Sequence, residues 1–414
     1  MKTRTIFMLS MLVLITGACS LTQLPSDIQD TPIVSIDTPT LPAAVVDTPT
    51  SPANATIVPL STLPGSPVGS SPTLVKIAFL DASNGWGIAA NDGGSILRTA
   101  DGGASWVNVT PLGLTGLGLS TDISVLNINT VWVLVPNADF FTGKLYRTTD
   151  GGLTWATFDA PFGGAYLQFL DGNTGRALAD LGAGAGSQAV EMFQTSDGGA
   201  TWLSVFNNDP GRPDSSGSLP LGGIKNGMTF LDANTGWVTG TRPMDGDVYL
   251  FVTHDGGVSW EQQSIPLPAG YESYQYMPQA PVFFGNDGFL PLVIYLSGTT
   301  DFTFYTTHDG GTTWTGDPNN ATRVVTPGRY TFTDSLHGWS WDGGSNFYFT
   351  NDGTQIWGGM AASLDLSDRL AQLEFVPASI GQFTGWALTG TDDAGHSQLY
   401  RTADNGSSWT PLIP

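Results

Sequence analysis

Short apolar stretches separated by glycine-rich turns run through most of this chain. Ser95–Arg98 and Lys144–Arg147 each read as a short β-strand, and each is followed by a turn and a second strand that begins with tryptophan. The sequence Asp-Gly-Gly at the turn favours a hairpin, because the carboxylate accepts backbone N–H bonds and glycine adopts positive φ. Helical periodicity does not compete with this pattern, apart from a possible turn near residues 363–370. We therefore predict an all-β fold.

An octapeptide that contains this turn occurs seven times, at intervals of about 50 residues. The sixth copy departs from the others at Thr354, Gln355 and Ile356, and the seventh reads Asp404-Asn405-Gly406. Seven equivalent aspartates on seven hairpins indicate architecture rather than catalysis, and the tryptophan that closes each copy supplies apolar surface to bury. The residues that we interpret as structural are Asp101, Asp150, Asp197, Asp255, Asp309, Asp352, Asp404, Trp106, Trp155, Trp202, Trp260, Trp314, Trp357 and Trp409.

A second repeat alternates with the octapeptide and reads as strand, tight turn, strand. Its clearest copies run from Phe79 to Trp86, from Phe230 to Trp237 and from Phe332 to Trp339. Each unit therefore holds four short strands, A to D, with the octapeptide between C and D. Seven such units predict a single seven-bladed β-propeller of four-stranded antiparallel blades. The predicted blades are residues 73–114, 115–162, 163–220, 221–267, 268–320, 321–365 and 366–414.

These repeats resemble a known family of propellers. The octapeptide matches the Asp-box, or BNR, repeat Ser/Thr-x-Asp-x-Gly-x-Ser/Thr-Trp of the sialidase-like superfamily. The pairing of Phe-x-Asp…Gly-Trp with Arg-Thr-x-Asp-Gly-Gly-x-Thr-Trp in one seven-bladed chain is most similar to photosystem II stability/assembly factors. That resemblance implies a non-enzymatic extracytoplasmic propeller that binds a newly made membrane protein.

The N-terminus resembles that of a bacterial lipoprotein. Lys2 and Arg4 precede the apolar run Ile6–Ile15, and Thr16-Gly17-Ala18-Cys19 follows. The resemblance to a lipobox implies lipidation of Cys19, and the alternative is an ordinary cleaved signal with a chance cysteine. Either reading predicts export, and lipidation would hold the protein on the extracytoplasmic face of the cell membrane.

We divide the chain into three parts. Residues 1–18 are the lipoprotein signal peptide, residues 19–72 a Thr/Pro/Ser-rich flexible tether, and residues 73–414 the propeller. As an alternative for part of the tether, residues 55–58 pair with a blade edge.

The composition limits the classes of partner. The chain has 36 Asp and Glu against 14 Lys and Arg, for a formal net charge of −22, which disfavours nucleic acid and anionic membrane surfaces. A single cysteine excludes a disulfide within one chain, so the fold depends on packing. We predict no cofactor and no metal; Asp245-Gly246-Asp247 could bind Ca²⁺, but it reads more simply as an acidic surface loop.

Candidate binding residues lie on the propeller face that carries the B–C and D–A loops, because those loops vary from blade to blade. The tyrosines among them could stack on a sugar or a partner side chain, or they could pack in the strand leading into blade 5. The candidates are Arg212, Arg242, Tyr271, Glu272, Tyr274 and Tyr276.

Two functions stay open at this point. The first is a surface-tethered scaffold that binds a protein partner without catalysis. The second is a carbohydrate-binding or sialidase-like glycoside hydrolase propeller. The resemblance to sialidases implies an active site with three arginines that bind a carboxylate, a Tyr–Glu pair and an acid aspartate. Only ten arginines and four glutamates occur here, and Tyr271 beside Glu272 is the candidate pair. Xyloglucan-cleaving enzymes resemble this repeat too, but they use two propellers in tandem, so we assign no catalytic residue.

Overall fold

Seven antiparallel sheets make up the part of the chain that the structure describes. The structure is a computed structural model, and it describes residues 60–61, 72–90, 93–267, 270–296, 299–316, 329–342, 346–364, 369–393 and 395–412. Each sheet is a meander whose strands A to D pair in chain order. The prediction of an all-β seven-bladed propeller is confirmed.

The strands of the first four blades follow the predicted repeats. β1 is Leu60–Ser61, which precedes the blades. Blade 1 contains β2 (Leu74–Phe79), β3 (Gly85–Ala89), β4 (Ser95–Thr99) and β5 (Val107–Asn108). Blade 2 contains β6 (Asp122–Val125), β7 (Val131–Pro136), β8 (Gly143–Thr148) and β9 (Thr154–Ala160). Blade 3 contains β10 (Ala165–Phe169), β11 (Gly175–Gly184), β12 (Ser187–Thr195) and β13 (Leu203–Asn207). Blade 4 contains β14 (Ile224–Phe230), β15 (Gly236–Thr241), β16 (Leu250–Thr253) and β17 (Glu261–Gln262).

The remaining three blades differ mainly in blade 5, where strand A is split in two. Blade 5 contains β18 (Gln275–Pro278) and β19 (Val282–Phe284), which both pair with β20 (Asp287–Leu296), then β21 (Thr299–Thr307) and β22 (Thr315–Gly316). Blade 6 contains β23 (Tyr330–Phe332), β24 (Gly338–Trp341), β25 (Asn346–Thr350) and β26 (Gly358–Ala361). Blade 7 contains β27 (Leu370–Ser379), β28 (Gln382–Thr389), β29 (Leu399–Thr402) and β30 (Thr410–Pro411).

The outer edge of blade 2 carries an additional strand. β1 pairs antiparallel with β9, with Leu60 opposite Trp155 and Ser61 opposite Thr154. Residues 55–58, for which we considered pairing with a blade edge, lie outside the described residues, as do the predicted signal peptide and Cys19.

Tryptophans at the start of strand B join blades 1, 2, 4, 6 and 7 to the next blade, whereas Arg176 and Phe289 hold this position in blades 3 and 5. Trp132 of blade 2 stacks on Phe169 of blade 3, with ring centroids 3.8 Å apart, and its indole N–H donates to Gly198 O at 2.8 Å. Trp386 of blade 7 stacks in the same way on Phe79 of blade 1, at 3.6 Å. The last blade therefore contacts the first through the same pair that joins other neighbours, which closes the ring without a shared strand.

The octapeptide turns are closed by their own side chains. Thr99 Oγ1 donates to Asp101 Oδ1 and accepts the Gly103 N–H, both at 2.9 Å. Asp101 also accepts the Ser105 N–H at 2.9 Å and the Ser105 hydroxyl at 2.6 Å. Burial opposes ionisation of Asp101, but these hydrogen bonds outweigh it and lower its pKa. The same set of bonds forms around Asp150, Asp197, Asp255, Asp309 and Asp404.

The sixth octapeptide keeps the turn but loses part of this network. Asp352 Oδ1 accepts the Thr350 hydroxyl at 2.9 Å and the Ile356 N–H at 3.0 Å. Ile356 has no hydroxyl, so Oδ2 lacks the partner that the other copies provide. Thr354 replaces the second glycine and keeps its positive φ, at 75°, a backbone conformation that β-branched residues rarely adopt.

We predict that Asp150→Ala destabilises the protein more than Asp352→Ala. The first substitution leaves the Thr154 amide and hydroxyl without their acceptor, and we expect a loss of about 1–3 kcal/mol. Asp352 accepts fewer bonds, so its loss should be smaller. Denaturant midpoints of the two variants, measured beside the unmodified protein, check this order, and equal midpoints would contradict it.

Strand A of blade 7 is hydrogen-bonded to strand A of blade 1 through two side chains. Gln372 accepts the Ile77 N–H at 3.0 Å and donates to Ile77 O at 2.7 Å. Glu374 accepts the Phe79 N–H at 2.8 Å and an N–H of Gln372 at 2.6 Å. These bonds supplement the Trp386–Phe79 stack at the closure of the ring.

Glu374 occupies a position that glutamine fills elsewhere in the ring. Gln168 also precedes the last phenylalanine of its strand A, and its amide accepts the Phe230 N–H at 2.7 Å and donates to Phe230 O at 2.9 Å. Burial raises the pKa of Glu374 to about 8, against the opposing effect of the hydrogen bonds from Phe79 and Gln372. The neutral acid is thus the form that the folded protein holds at pH 7.

We predict that Glu374→Gln removes a pH dependence from the stability of the ring. A carboxyl whose folded pKa lies above its unfolded value contributes stability below the unfolded pKa, and this is lost as pH rises towards 8. The free energy of unfolding of the unmodified protein should therefore fall, relative to that of the variant, by roughly 1–3 kcal/mol between pH 4.5 and pH 8. Denaturation at both pH values measures this fall.

The exposed Glu261 supplies the control for this experiment. Glu261→Gln should change the difference between the two pH values far less than Glu374→Gln, because its carboxylate is exposed and its ion pair with His254, at 3.7 Å, is screened by solvent. Parallel pH profiles of Glu374→Gln and the unmodified protein would contradict the role of Glu374.

Candidate functional site

All six candidate binding residues lie at the same end of the strands. We call the end with the B–C and D–A connections the loop face and the opposite end the turn face. Arg212 lies between blades 3 and 4, and Arg242 follows strand B of blade 4. Residues 271–276 precede or begin strand A of blade 5. The Gly246 N–H donates to Tyr274 O at 2.9 Å, so the structure brings the Arg242 loop against the tyrosine segment.

The tyrosine segment is partly core and partly surface. Tyr276 is fully buried, and its hydroxyl donates to Tyr271 O. Tyr271 and Tyr274 are half-buried with ring centroids 5.7 Å apart, and the Tyr271 hydroxyl donates to Asp301 Oδ2 at 2.8 Å. Surface for stacking on a ligand is therefore limited to the rings of Tyr271 and Tyr274.

The adjacent Tyr271 and Glu272 do not bond to each other through their functional groups. Hydrogen bonds from its own backbone N–H and from Gly270 lower the pKa of the exposed Glu272 carboxyl. Its oxygens accept the Gly270 N–H at 3.1 Å, whereas the Tyr271 hydroxyl donates to Asp301. Activation of a tyrosine nucleophile by Glu272 would require both bonds to rearrange.

Both candidate arginines are already paired with carboxylates. Arg242 makes a two-pronged contact with Asp247, at 2.7 Å for both Nε and Nη2. Arg212 donates to the buried Glu191 at 2.8 Å and to Asp214 at 2.9 and 3.2 Å. To grip a substrate carboxylate, either guanidinium would have to give up a charge-assisted pair, which weakens the comparison with a sialidase arginine cluster.

Lys225 is a buried cation that the sequence pattern did not reveal. Its ammonium donates to four carbonyl oxygens, of Pro220 at 2.7 Å, Gln188 at 2.8 Å, Leu221 at 3.1 Å and Gly223 at 3.2 Å. Burial lowers its pKa to about 8, and the charge of Arg242 acts in the same direction. Within an alternating strand, a lone lysine reads as a solvent-facing residue, and only the loop that folds over it shows otherwise.

The ring of Tyr249 lies within reach of both cations. Lys225 Nζ is 5.5 Å and Arg242 Cζ 5.2 Å from its centroid, and the Tyr249 hydroxyl donates to Pro220 O at 3.0 Å. Tyr249 is fully buried, so these contacts fix the connection between blades 3 and 4 against the Arg242 loop.

We predict that Lys225→Met destabilises the protein by about 2–4 kcal/mol, because it leaves buried carbonyl oxygens without donors. The half-exposed ion pair Lys76–Asp122, at 3.0 Å, provides a matched control. Lys76→Met should cost at most about 1 kcal/mol. Denaturant midpoints compare the two variants, and a Lys225→Met cost as small as that of the control would show that water replaces the ammonium.

The described residues show neither of two common functional features. Among them, no group of three or more His, Cys, Asp and Glu side chains is placed to hold a metal ion, and Asp247 of the acidic loop is engaged by Arg242. The same residues include no helix with the length and apolar character needed to cross a bilayer.

Sequence comparison finds two relevant relatives, although no family model matches the chain. Photosystem II assembly lipoprotein Ycf48 of Synechococcus sp. (strain CC9902) is 27% identical over 288 residues, covering 61% of this chain and 79% of that protein. A xyloglucanase of Paenibacillus sp. is 28% identical over 296 residues, covering 61% of this chain but only 27% of the enzyme. The predicted resemblance to the photosystem II assembly factors is confirmed.

Structural comparison supports the same fold. Ycf48 from Cyanidioschyzon merolae superposes with a TM-score of 0.50 and 18% identity, covering 82% of this chain and 98% of that structure. At this identity the superposition establishes the shared propeller architecture and no more.

Proposed function

We propose that this chain is an exported lipoprotein whose propeller acts as a non-enzymatic scaffold for a protein partner at the membrane or cell surface. The observation that carries the proposal is the alignment with Ycf48, an assembly lipoprotein, over 79% of that protein's length. The xyloglucanase alignment covers 27% of the enzyme, so most of that enzyme has no counterpart in the aligned residues.

The chemistry of the described residues supports a scaffold over a hydrolase. Hydrogen bonds lower the pKa of six octapeptide aspartates, to about 2 for Asp309, which makes these six poor proton donors at neutral pH. The loop-face arginines are paired with carboxylates.

The membrane anchor is a proposal based on the lipobox-like sequence that ends at Cys19. A lipid on this cysteine, followed by a Thr/Pro/Ser-rich tether, would place the propeller away from the bilayer while keeping it at the membrane.

A carbohydrate-directed function is the second candidate. The xyloglucanase alignment and the two half-buried tyrosine rings on the loop face favour it. Such rings provide flat apolar surfaces of the kind that sugars stack on.

Cross-linking in membranes of the source organism, beside hydrolysis assays on xyloglucan and a sialoside, separates the two functions. We expect a protein cross-linked to the chain whose yield falls severalfold in a Tyr274→Ala, Glu272→Ala variant, and we expect no turnover. Val258→Ser, a half-exposed change on an octapeptide turn, is the matched control and should leave the yield unchanged.

Turnover that disappears in Tyr271→Phe or Glu272→Gln would instead establish the hydrolase. A Cys19→Ser variant should leave the membrane fraction if the anchor is correct, and it distinguishes loss of anchoring from loss of partner binding.

A further inference from the structure

One position in strand C determines how adjacent blades are connected at the turn face. In blade 2 this position is Arg147, which pairs across the sheet with Trp132 and directly precedes the octapeptide threonine. The Arg147 side chain extends to blade 3, where Nη2 donates to Gly172 O at 2.8 Å. We call the site that receives this guanidinium the arginine seat.

The arginine seat of blades 2 and 3 has four parts. Trp132 forms an aromatic wall 5.5 Å from the guanidinium carbon, and Gly172 supplies the acceptor carbonyl. Gly198 leaves room, since a Cβ there would lie 2.1 Å from Arg147 Nη1. Burial lowers the pKa of Arg147, and the negative charge of Asp197, the octapeptide aspartate of blade 3, opposes that effect.

Arginine fills the corresponding seat at other junctions. Arg401 donates at 3.1 Å to Ala82 O of blade 1, the carbonyl that corresponds to Gly172 O, whereas Arg98 donates at 3.2 Å to the carbonyl of Gly151, the octapeptide glycine of blade 2. At blade 3 the arginine comes instead from strand B, where Arg176 stands opposite Gln194 and donates to Ala233 O of blade 4. A guanidinium is thus the group that this repeated site accepts.

The junction of blades 5 and 6 keeps the seat but lacks the arginine. Thr306 stands at the Arg147 position, opposite Phe289, and a groove of about 740 Å³ opens there. Phe289, Ser335, Gly353 and Asp352 line this groove at the positions of Trp132, Gly172, Gly198 and Asp197.

The geometry of the carbonyl and the glycine is also retained. A Cβ on Gly353 would lie 3.0 Å from Ser335 O, as one on Gly102 would lie 2.7 Å from Ala82 O beneath Arg401. The carbonyl acceptor and the space for a guanidinium are therefore both present at the junction of blades 5 and 6.

Two further features favour a cationic occupant in this groove. Asp352 lacks the hydroxyl partner that each other octapeptide gives its aspartate, so its carboxylate retains accepting capacity. Leu336 and Ile356 are 51% and 69% exposed at the edge of the groove and offer apolar contact to the stem of a long side chain.

The groove between blades 4 and 5 provides an internal contrast. It is also open, with Val252 at the Arg147 position and about 590 Å³ of space. Its aspartate, Asp309, has both oxygens occupied by Thr313, and the A–B turn of blade 5 is shorter than that of its neighbours. Among the described junctions, only that of blades 5 and 6 therefore combines an open groove with an octapeptide aspartate that lacks its hydroxyl partner.

We propose that the groove between blades 5 and 6 binds an arginine side chain of a protein partner. The acidic character of the chain, with a net charge of −22, favours a basic partner segment. This inference adds a turn-face contact to the proposed scaffold function and depends on that function only for the presence of a partner.

A labelled pentapeptide with a central arginine tests the seat directly, by fluorescence anisotropy with the purified chain. We expect the arginine peptide to bind at least about tenfold more tightly than its citrulline counterpart, because the charge-assisted contact is lost with the charge. Asp352→Asn should weaken binding by about tenfold, and Thr306→Arg should abolish it by filling the seat from within.

Arg147→Thr is the matched gain-of-site control. Removal of this arginine should open a second seat and raise the stoichiometry from one peptide to two per chain. Tryptophan fluorescence of each variant confirms that the propeller is folded before binding is compared.

Equal binding of the peptide by the unmodified chain and Thr306→Arg would overturn the proposal. Binding that appears only in Arg323→Gln would also overturn it, because the occupant would then be the chain's own Arg323, which lies outside the described residues. The peptide assay needs no native partner, so its failure is distinct from failure of the cross-linking experiment.

Discussion

The packing of a strand-B aromatic ring onto the next blade is the interaction on which this propeller depends. A chain with one cysteine has no disulfide to hold its ends together, so the ring closes by the same contact that joins other neighbours. Phe79 and Trp386 stack at 3.6 Å across the closure, as Trp132 and Phe169 stack at 3.8 Å within the ring. Each indole is buried between two sheets, where dispersion and the hydrophobic effect act together.

A strand-B aromatic ring stands in every blade except blade 3, where Arg176 takes its place, so variation between blades falls mainly on the positions beside this ring. The residue opposite the strand-B ring is arginine in blades 1, 2 and 7 but Thr306 in blade 5. An arginine there reaches the next blade, whereas threonine is too short and leaves a groove. A substitution that fills or opens a junction therefore changes the surface without altering the fold, since the aromatic stack beneath it is retained.

Local chemistry made the repeats predictable. In the octapeptide, Thr99, Asp101 and Ser105 bond to each other within seven residues, so the turn follows from the sequence alone. Strand order was predictable for the same reason, because sequential hairpins form a meander.

Contacts between loops of different blades were not predictable in this way. The sequence suggested Tyr276 as a ligand-binding residue, but its side chain lies in the core. Lys225 is buried because the connection between blades 3 and 4 brings most of its carbonyl acceptors, including those of Pro220 and Leu221, to its ammonium group. The pairing of Arg242 with Asp247 is close in sequence, but the contact of that loop with the tyrosine segment crosses a blade boundary. Such contacts depend on the radial arrangement of blades, which a linear pattern does not contain.

The few lysines and arginines of the chain are used mainly for contacts within it, and this shapes the charge of the surface. Ten of the eleven lysines and arginines in the described part of the chain form an ion pair or donate to a carbonyl within the chain. Basic groups are thus used to join loops and blades, while most of the 36 acidic residues have no basic residue to pair with. A surface of this kind repels acidic partners at long range and attracts basic ones. The groove between blades 5 and 6, where Thr306 stands in place of an arginine and Asp352 lacks a hydroxyl partner, is therefore a place where a partner's cation would meet both a fitted acceptor and a favourable field.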